Sequence, residues 1–455
     1  MRCLKQALWF FALLGAILSA GCASSDTTSQ TTYNTGTGNE PYKPTTHLLH
    51  RAIVTNYYSS LLNVVDATEN RLTSYTFATG SQPTYMQSSP DGTLTFINDV
   101  GASTIASFNN LQETVKGTVA LGGYTNSFVT SKTNFFGFAA VPNYNNGTSR
   151  LPGAIVRFNP TDGVVNTQIQ FPNVEYLGMD PAQEHLIAFT NGANPDDQSP
   201  YNVPDIAHWV DLTNNDPSTG VPPYYPLVLT DTSGSPVTLS VPSAVFFSSD
   251  GSKAYVLSCG IECGGSDAAS VAVIDTTSIK PATPVVTGAT GTPINATVTK
   301  VWKVNGAQKG MINTTTNTLY VAGSTGTTTV DSGGNKVMDG WFTAIDLADT
   351  TSTPATVAIG PGTNRIIRTI GSGFWIGARN CGVSSCVTMV NSALSASTLS
   401  TAKGDATGIT LCTNSSQVYT IEGGRFYFYN ESGKPLTSQY QTQINGYVTD
   451  VLYID

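Results

Sequence analysis

Residues 52–99 decide the fold, and they read AIVTNYYSSLLNVVDATENRLTSYTFATGSQPTYMQSSPDGTLTFIND. Short apolar runs such as IVTN (53–56) and TFIN (95–98) are separated by turn-forming residues such as Pro90-Asp91-Gly92. Runs of this length, rich in β-branched and aromatic residues and bounded by turns, are typical of β-strands. The stretch therefore predicts a succession of short antiparallel strands.

One signature recurs along the chain, an apolar residue followed by Asp or Asn at the end of an apolar run. It occurs at Val65-Asp66, Phe108-Asn109, Phe158-Asn159, Val210-Asp211, Ile274-Asp275, Ile345-Asp346, Val390-Asn391 and Tyr429-Asn430. Successive signatures lie 39 to 71 residues apart, a period that fits one four-stranded blade of a β-propeller. Asp and Asn at strand ends form turns, so we interpret the repetition as structural.

The strand order predicts how the ring closes. The first unit begins with its second strand at Ile53, and one strand, Tyr447–Ile454, is left over at the end of the chain. Placing that strand inside the first blade removes an open sheet edge. We therefore predict an all-β propeller of eight four-stranded blades, closed by the C-terminal strand. Seven blades is the alternative, if one weak unit is a decoration.

The same residues resemble a known family. The stretch 52–99 is similar to the YVTN-type β-propeller repeat of the lactonase-like propellers, with Val54-Thr55-Asn56 matching its core motif, and the resemblance is strong over 52–110 and 243–280. It implies a radial propeller and is compatible with an exported binding protein. It names no activity, because propellers serve many unrelated functions.

The N-terminus resembles a bacterial lipoprotein signal. Arg2 and Lys5 precede an apolar run, and Leu18-Ser19-Ala20-Gly21-Cys22 resembles the lipobox. The resemblance implies cleavage before Cys22 and a lipid on its thiol, and Ala23 favours sorting to the outer membrane. An ordinary secretion signal is the alternative. We expect a signal peptide (1–21), a lipidated Cys with a flexible polar tether (22–46) and one propeller domain (47–455).

Composition limits the partners. Only 11% of the 455 residues are charged and the formal net charge is −9, which disfavours binding to a phosphate backbone. We expect no nucleic acid and no cofactor. The expected partners are a membrane, reached through the N-terminal lipid, and an unknown envelope protein, small molecule or glycan.

The cysteines of the propeller fall into two close pairs and one single residue. An exported protein meets an oxidising compartment, so Cys259 is predicted to pair with Cys263 and Cys381 with Cys386. Cys412 lies in an apolar run and is expected to be a buried free thiol. Zinc is the competing interpretation, but neither spacing is typical of a zinc site.

Excess length falls between the second and third strands of several units, in segments 142–153, 191–206, 259–269 and 324–340. By analogy with propellers, these connections lie on one rim of the central channel, and long loops on a rigid scaffold concentrate binding residues. Neutral drift of surface loops is the alternative. The side chains expected to be exposed there and to contact a ligand are Tyr144, Arg150, Tyr201, Asp205, Glu262 and Lys336.

Catalytic and metal signals are weak in this sequence. No residue is assigned a catalytic role and no metal site is predicted. Carboxylates that are weak candidates for calcium are Asp196, Asp197, Asp331 and Asp339. The leading hypothesis is a non-enzymatic lipoprotein propeller that binds through its loop-rich face. The alternatives are a lactonase-type hydrolase or lyase, using acids such as Asp196, Asp197 or Asp205, and a structural envelope component.

Overall fold

A computed structural model describes the chain over residues 45–145, 147, 150–151, 153–170, 173–190, 205–214, 221–281, 291–399, 403–436 and 441–455. Regular structure in these residues is almost entirely β. The two helical segments described are the short 3₁₀ turns Gly260–Cys263 and Thr276–Ser278. No helix in this part of the chain has the length and apolar character needed to cross a membrane.

The strands of the first half are β1 (Arg51–Asn56), β2 (Leu61–Asp66), β3 (Arg71–Ala78), β4 (Pro83–Ser88), β5 (Leu94–Asp99), β6 (Thr104–Asn109), β7 (Thr114–Ala120), β8 (Ser127–Thr130), β9 (Gly137–Val141), β10 (Tyr144–Asn145), β11 (Arg150–Leu151), β12 (Ala154–Phe158), β13 (Val165–Gln170), β14 (Val174–Met179), β15 (His185–Thr190), β16 (Ile206–Asp211) and β17 (Tyr224–Asp231).

The strands of the second half are β18 (Pro242–Phe247), β19 (Lys253–Ser258), β20 (Ser270–Asp275), β21 (Ile294–Lys303), β22 (Lys309–Asn313), β23 (Thr318–Gly323), β24 (Thr328–Val330), β25 (Lys336–Met338), β26 (Gly340–Asp346), β27 (Ala355–Ile359), β28 (Thr363–Ile370), β29 (Gly373–Arg379), β30 (Val387–Val390), β31 (Ala396–Thr398), β32 (Ala406–Cys412), β33 (Gln417–Glu422), β34 (Arg425–Asn430), β35 (Gln441–Thr442) and β36 (Val448–Ile454).

These strands form radial sheets of four. Six sheets have the orders β36-β1-β2-β3, β4-β5-β6-β7, β8-β9-β12-β13, β22-β23-β26-β27, β28-β29-β30-β31 and β32-β33-β34-β35. An eight-stranded sheet, β14-β15-β16-β17-β21-β20-β19-β18, joins two further units through a parallel pairing of β17 with β21. The sequence prediction of an all-β propeller is confirmed. Eight blades result if each half of the large sheet is one blade, and that number stays a prediction.

The C-terminal strand closes the ring. β36 pairs antiparallel with β1, so that Arg51 lies opposite Ile454 and Ala52 opposite Tyr453. The predicted pairing of the last strand with the first unit is therefore confirmed. The inner strand of each unit contacts the inner strand of a neighbour around the centre, and these inner strands are β36, β4, β8, β14, β18, β22, β28 and β32.

Burial explains why the second strand of each unit is the most apolar. All six residues of β1 and all six of β5 are buried, because each sheet packs between two neighbouring sheets. Burying a side chain such as Val54 or Phe96 contributes about 1.5–3 kcal/mol. The outer strands β3 and β7 are largely half-exposed or exposed, so their residues are more polar.

The repeated Asp and Asn residues form turns, as the sequence predicts. Asp66 Oδ1 accepts a hydrogen bond from Thr68 N at 2.8 Å, and Asp275 Oδ1 accepts one from Thr277 N at 3.0 Å. The other six signatures do the same with a backbone N–H two or three residues on, and these residues are Asn109, Asn159, Asp211, Asp346, Asn391 and Asn430. Each side chain closes the turn into the next strand.

The ring has two faces. The terminal face is where β1 begins and β36 ends, and it carries the eight Asp and Asn turns. The loop-rich face lies opposite. Because the strands of each unit alternate in direction, the loop-rich face carries the connections from second to third strands and the links from one unit to the next.

Candidate functional site

The two predicted cysteine pairs lie on the loop-rich face. Cys259 and Cys263 follow β19 with sulfurs 1.99 Å apart, and Cys381 and Cys386 follow β29 with sulfurs 2.03 Å apart. Both pairs are therefore at disulfide distance. Cys412 is a free, buried thiol. Each disulfide restrains the connection between the second and third strands of its unit, at the rim of the channel.

Glu262 lies inside the first disulfide loop and joins two rim segments. Its carboxylate accepts a hydrogen bond from Ser324 N at 2.7 Å, at the start of the 324–340 segment. Burial raises the pKa of Glu262 to about 7, although the Ser324 N–H and the charge of Arg365 act in the opposite direction. The side chain is 9% exposed, whereas the sequence analysis places it on the surface. A carboxylate that holds a neighbouring loop is withdrawn from solvent.

The 324–340 segment forms a small hairpin, β24–β25, whose two ends are fixed by carboxylates. Asp339 accepts hydrogen bonds from Thr325 N at 3.1 Å and from Trp341 Nε1 at 2.6 Å. Asp331 accepts one from Val383 N at 2.8 Å, which links the hairpin to the second disulfide loop. In the described residues no group of three or more His, Cys, Asp or Glu is placed to hold a metal ion.

The remaining predicted contact residues occupy different environments. Tyr144 is 4% exposed and packs in a core cluster with Val141, so it is not the exposed ring that the sequence analysis expects. Asp205 accepts a hydrogen bond from Val241 N at 2.8 Å, and Lys336 is exposed on the hairpin. Arg150 pairs through its backbone with Asn145.

Some predicted residues cannot be placed. Tyr201, Asp196 and Asp197 lie outside the described residues, as does most of the 191–206 segment. Cys22 and residues 23–44 of the predicted tether also lie outside them, whereas Thr46, the last residue of that segment, is buried and donates to Glu113. The binding and lipidation roles assigned to these positions stay predictions.

A feature that sequence reasoning missed lies at the channel itself. In six inner strands the antiparallel register shifts next to the loop-rich face, so that one residue has no partner on the second strand. The residues that the register passes over are Thr84, Glu175, Ser243, Arg365, Thr407 and Thr449. Such β-bulges bend a strand and redirect side chains, and they are frequent beside functional sites.

Four cationic side chains gather at this level of the channel. Lys309 begins the inner strand β22, Arg365 and Arg368 lie on the inner strand β28, and Arg379 ends β29. Arg368 Nε donates to Ile409 O of the next unit at 3.2 Å. All three arginines are exposed, and Lys309 is half-buried.

The four charges influence one another. Burial, together with the guanidinium groups of Arg365, Arg368 and Arg379, lowers the pKa of Lys309 to about 8. No carboxylate of the described residues lies within 4.0 Å of any of the four cationic groups. Acids act on the cluster only from farther away, Glu262 on Arg365, and Asp405 and Asp450 on Arg379. Because burial raises the pKa values of Glu262 and Asp450 to about 7, the cluster keeps a positive potential. The arrangement is suited to hold an anion.

Gln308 connects this cluster to the rim. With its amide turned to suit its neighbours, the side-chain nitrogen donates to Glu262 Oε1 at 3.1 Å and the oxygen accepts from Arg365 Nη1 at 3.3 Å. The first disulfide loop therefore supports Arg365 through Glu262 and Gln308. This relay links the predicted rim segment 259–269 to the cationic cluster.

Asp450 is an acid on the inner strand β36, which is separated from β28 by one inner strand, β32. It is buried, and its carboxylate accepts hydrogen bonds from Met86 N at 2.6 Å and Val451 N at 2.8 Å. Burial raises its pKa to about 7, while the Met86 N–H and the charges of Arg368 and Arg379 act in the opposite direction. Asp450 therefore changes charge near neutral pH, within the electrostatic reach of the cluster.

Comparison with known proteins identifies the fold only. The chain matches no protein-family model and no curated protein. Among solved structures, it is similar to the dihydro-heme d1 dehydrogenase NirN in complex with DHE, with a TM-score of 0.55 and 13% identity over 91% of this chain and 77% of that one.

Two further structures have TM-scores of 0.49. They are the hydrazine synthase of Kuenenia stuttgartiensis, at 13% identity over 76% of this chain and 95% of that one, and BamB from Moraxella catarrhalis, at 13% identity over 84% and 93%. These likenesses are too weak to carry an argument about function. The strand order and the similarity to NirN together show that the chain is a β-propeller.

Proposed function

We propose that this protein is a non-enzymatic binding propeller that captures an anionic ligand in its channel, at the loop-rich face. The observation that carries the proposal is the group of four cationic side chains, Lys309, Arg365, Arg368 and Arg379, which have no carboxylate partner within 4.0 Å in the described residues. The chain as a whole has a net charge of −9, so a group of four positive charges is a local exception to its acidic character. A bound anion would relieve the repulsion among its members.

Citrate is a suitable first probe because it is small and carries three carboxylates at neutral pH. We expect calorimetry at low ionic strength to detect citrate binding, with an affinity that falls as salt screens the charges. Arg368→Gln should weaken binding by at least about tenfold, since a hydrogen bond between charged groups is worth about 1.5–3 kcal/mol. Arg71→Gln is the matched control, because Arg71 is an exposed arginine paired with Glu69 on the terminal face.

Citrate binding that is absent, or equally affected by both substitutions, would refute the anion site.

The rim of the same face includes Asp205, Lys336 and the backbone of Arg150. We propose that this rim contacts the larger body of the ligand or an envelope partner. Shortening the hairpin between β24 and β25 should reduce capture of that partner while the melting temperature stays nearly unchanged, because the strands of the ring hold the fold.

We also propose that the propeller is exported and held at the outer membrane by a lipid on Cys22. The support is the lipobox-like sequence before Cys22 and the two disulfides, which suit an oxidising compartment. Cys22→Ala should release the protein from the membrane or stall its precursor. Unchanged partitioning into detergent, together with an N-terminal peptide that carries no acyl mass, would refute the anchor.

A lactonase-type hydrolase is the second candidate, and Asp450 is the observation that favours it. A carboxyl group with a pKa of about 7 is suited to proton transfer at neutral pH. In that case Asp450→Asn should abolish turnover of a lactone while the substrate still binds. The binding hypothesis instead expects no turnover by either protein and tighter anion binding by Asp450→Asn, because one negative charge is removed.

A further inference from the structure

We propose that the anion held by the channel is an acidic oligosaccharide, whose sugar rings pack on a cluster of tyrosines beside the cationic residues. This inference rests on the proposed anion site and adds the chemical class of the ligand. It begins from a group of aromatic rings on the loop-rich face that the propeller core does not use.

Three tyrosines form this cluster, which we call the tyrosine platform. Tyr57 and Tyr58 lie in the β1–β2 turn, and Tyr447 directly precedes β36. The ring centroids of Tyr57 and Tyr58 are 5.2 Å apart, and those of Tyr58 and Tyr447 are 6.2 Å apart, in edge-to-face arrangements. Tyr58 is 76% exposed and Tyr447 36% exposed. Rings of this size in mutual contact and open to solvent form a ready surface for a ligand with an apolar face.

The backbone holds the platform in place. Tyr57 N donates to Tyr447 O at 2.8 Å, and Val448 N donates to Gly424 O at 3.2 Å. Gly424 has a φ of +75° and its Cα faces the Tyr447 ring so closely that a Cβ there would lie 2.3 Å from a ring carbon. A glycine is therefore required for the ring to occupy this position. The platform is anchored at the mouth of the channel and is not a set of free side chains.

A short chain of contacts joins the platform to the cationic cluster. Gly424 follows Gly423, whose N–H donates to Asp405 O at 2.9 Å. The Asp405 carboxylate in turn accepts a hydrogen bond from Asn380 N at 2.8 Å, and Asn380 is the residue after Arg379. Burial lowers the pKa of Arg379, and Tyr447 is among the groups close enough to act in the opposite direction. The platform and the cluster therefore occupy adjacent parts of one channel mouth.

The combination of exposed tyrosine rings and guanidinium groups selects among anions. A pyranose ring presents an apolar face of C–H groups, which packs on the face of a tyrosine while its hydroxyl groups stay hydrated or bond the phenol. A carboxylate matches the two parallel N–H donors of an arginine. A free inorganic anion would use only the arginines, and a neutral sugar only the tyrosines. An oligosaccharide with carboxylates uses both.

The experiment compares two trivalent anions, citrate and tri-galacturonic acid, with a neutral trisaccharide of galactose as the uncharged control. Calorimetry is performed on the intact protein and on Tyr58→Ala, Arg368→Gln and Phe135→Ala. Phe135 is the matched aromatic control, since its ring is 75% exposed but lies in a turn of the terminal face.

We expect tri-galacturonic acid to bind more tightly than citrate, and the neutral trisaccharide not to bind measurably. Tyr58→Ala should lower the affinity for tri-galacturonic acid about three- to tenfold, because it removes one aromatic contact. It should leave the affinity for citrate unchanged. Arg368→Gln should lower the affinity for both anions, and Phe135→Ala should change neither affinity. Saturation of the tyrosine ring protons should transfer magnetisation to the sugar C–H protons in the intact protein and less so in Tyr58→Ala.

The outcomes separate the two proposals. If citrate and tri-galacturonic acid bind equally, both depend on Arg368 and neither depends on Tyr58, the anion site stands and the saccharide inference is wrong. Tri-glutamate is titrated as a fourth ligand. If it binds with the same dependence on Tyr58 and Arg368, the ligand class is an acidic peptide and the saccharide inference is again wrong. If neither anion binds, the proposed function fails and this inference fails with it.

Discussion

The two faces of the ring are built by the same strands but differ in the length of their connections and in how their charges are paired. On the terminal face, short turns are closed by Asp and Asn side chains, and the buried carboxylate of Glu113 pairs with Arg51. On the loop-rich face, long connections are fixed by disulfides and carboxylates, and four cationic groups share the channel mouth. The comparison indicates that one face stabilises the ring and the other binds.

The buried ion pair shows what a satisfied charge looks like in this protein. Glu113 Oε1 lies 2.7 Å from Arg51 Nε, and its carboxylate also accepts hydrogen bonds from the backbone N–H and the hydroxyl of Thr46. Arg51 further donates to Asn110 O. Both oxygens of the Glu113 carboxylate are therefore engaged, by Arg51 and by Thr46, as the cost of desolvation requires. The cationic cluster on the other face differs: its three arginines are exposed and no carboxylate of the described residues lies within 4.0 Å of them, as expected of a site completed by a ligand.

Removal of the closing strand is the largest perturbation that the comparison suggests. Deletion of 447–455 removes β36, its pairing with β1 and the hydrogen bond from Met86 N to Asp450. We expect the truncated protein to lose cooperative unfolding and to expose a strand edge prone to aggregation. Thermal melts followed by circular dichroism measure this. A melting temperature and a transition as sharp as those of the parent would show that this strand does not hold the ring together.

Glu113→Gln tests whether the terminal face contributes to stability but not to ligand binding. The substitution leaves the buried Arg51 charge without its counter-ion, so we expect the free energy of unfolding to fall by about 3–5 kcal/mol. Urea denaturation gives the value. Glu69→Gln is the control, because the Glu69–Arg71 pair is exposed and its loss should cost less than about 1 kcal/mol. Citrate affinity of the folded Glu113→Gln protein should be unchanged, and a parallel loss of affinity would contradict the division between the faces.

Asp450→Asn tests the channel through its dependence on pH. Because burial raises the pKa of Asp450 from 3.8 to about 7, its protonated form is favoured in the folded state. Its contribution to stability is therefore present below about pH 4 and is lost as the pH rises through about 7. We expect Asp450→Asn to flatten the fall in the free energy of unfolding between pH 4 and 7. Asp349→Asn, at an exposed turn, should leave this slope intact, and an unchanged slope in Asp450→Asn would refute the assignment.

The fold was predictable because its determinants are local. An apolar run followed by Asp66 or Asp275 specifies a strand and its turn within a few residues, and the leftover strand at Tyr447–Ile454 specifies the closure. Each of these signals is read from adjacent positions. The disulfide pairs share this property, since the partners are separated by only 4 and 5 positions.

The candidate site was not predictable, because its determinants are spread over several units. Lys309 and Arg379 come close only when two neighbouring units pack against each other, and neither has a local motif. The two arginines of 363–370 (TNRIIRTI) are the one sequence signal, an unusual pair of charges in an inner strand. The expected exposure of Tyr144 was wrong for a similar reason: its ring packs across the sheets that contain Phe96 and Val156, and neighbouring residues in the sequence do not show this.

The smallest expected effect on stability comes from opening a disulfide on the loop-rich face. Cys259 and Cys263 enclose a loop so short that their bond restrains the unfolded chain by about 2 kcal/mol at most. We expect the double substitution of both cysteines by Ala to lower the free energy of unfolding by no more than this amount, and less than Glu113→Gln does. Chemical denaturation of the two variants side by side gives the ranking.

The same double substitution should lower citrate affinity more than Glu113→Gln does. The reason is that Glu262 lies within that loop and holds Gln308, which faces Arg365. Loosening the loop removes a support of the cationic cluster, so we expect citrate affinity to fall several-fold in the Cys259→Ala, Cys263→Ala protein and not in Glu113→Gln. Glu262→Gln should reproduce part of the loss, since the amide cannot offer Gln308 and Ser324 N a charged acceptor. If opening the disulfide instead destabilises the ring more than Glu113→Gln and leaves citrate affinity intact, the loop-rich face is a structural element and the distinction between the two faces is wrong.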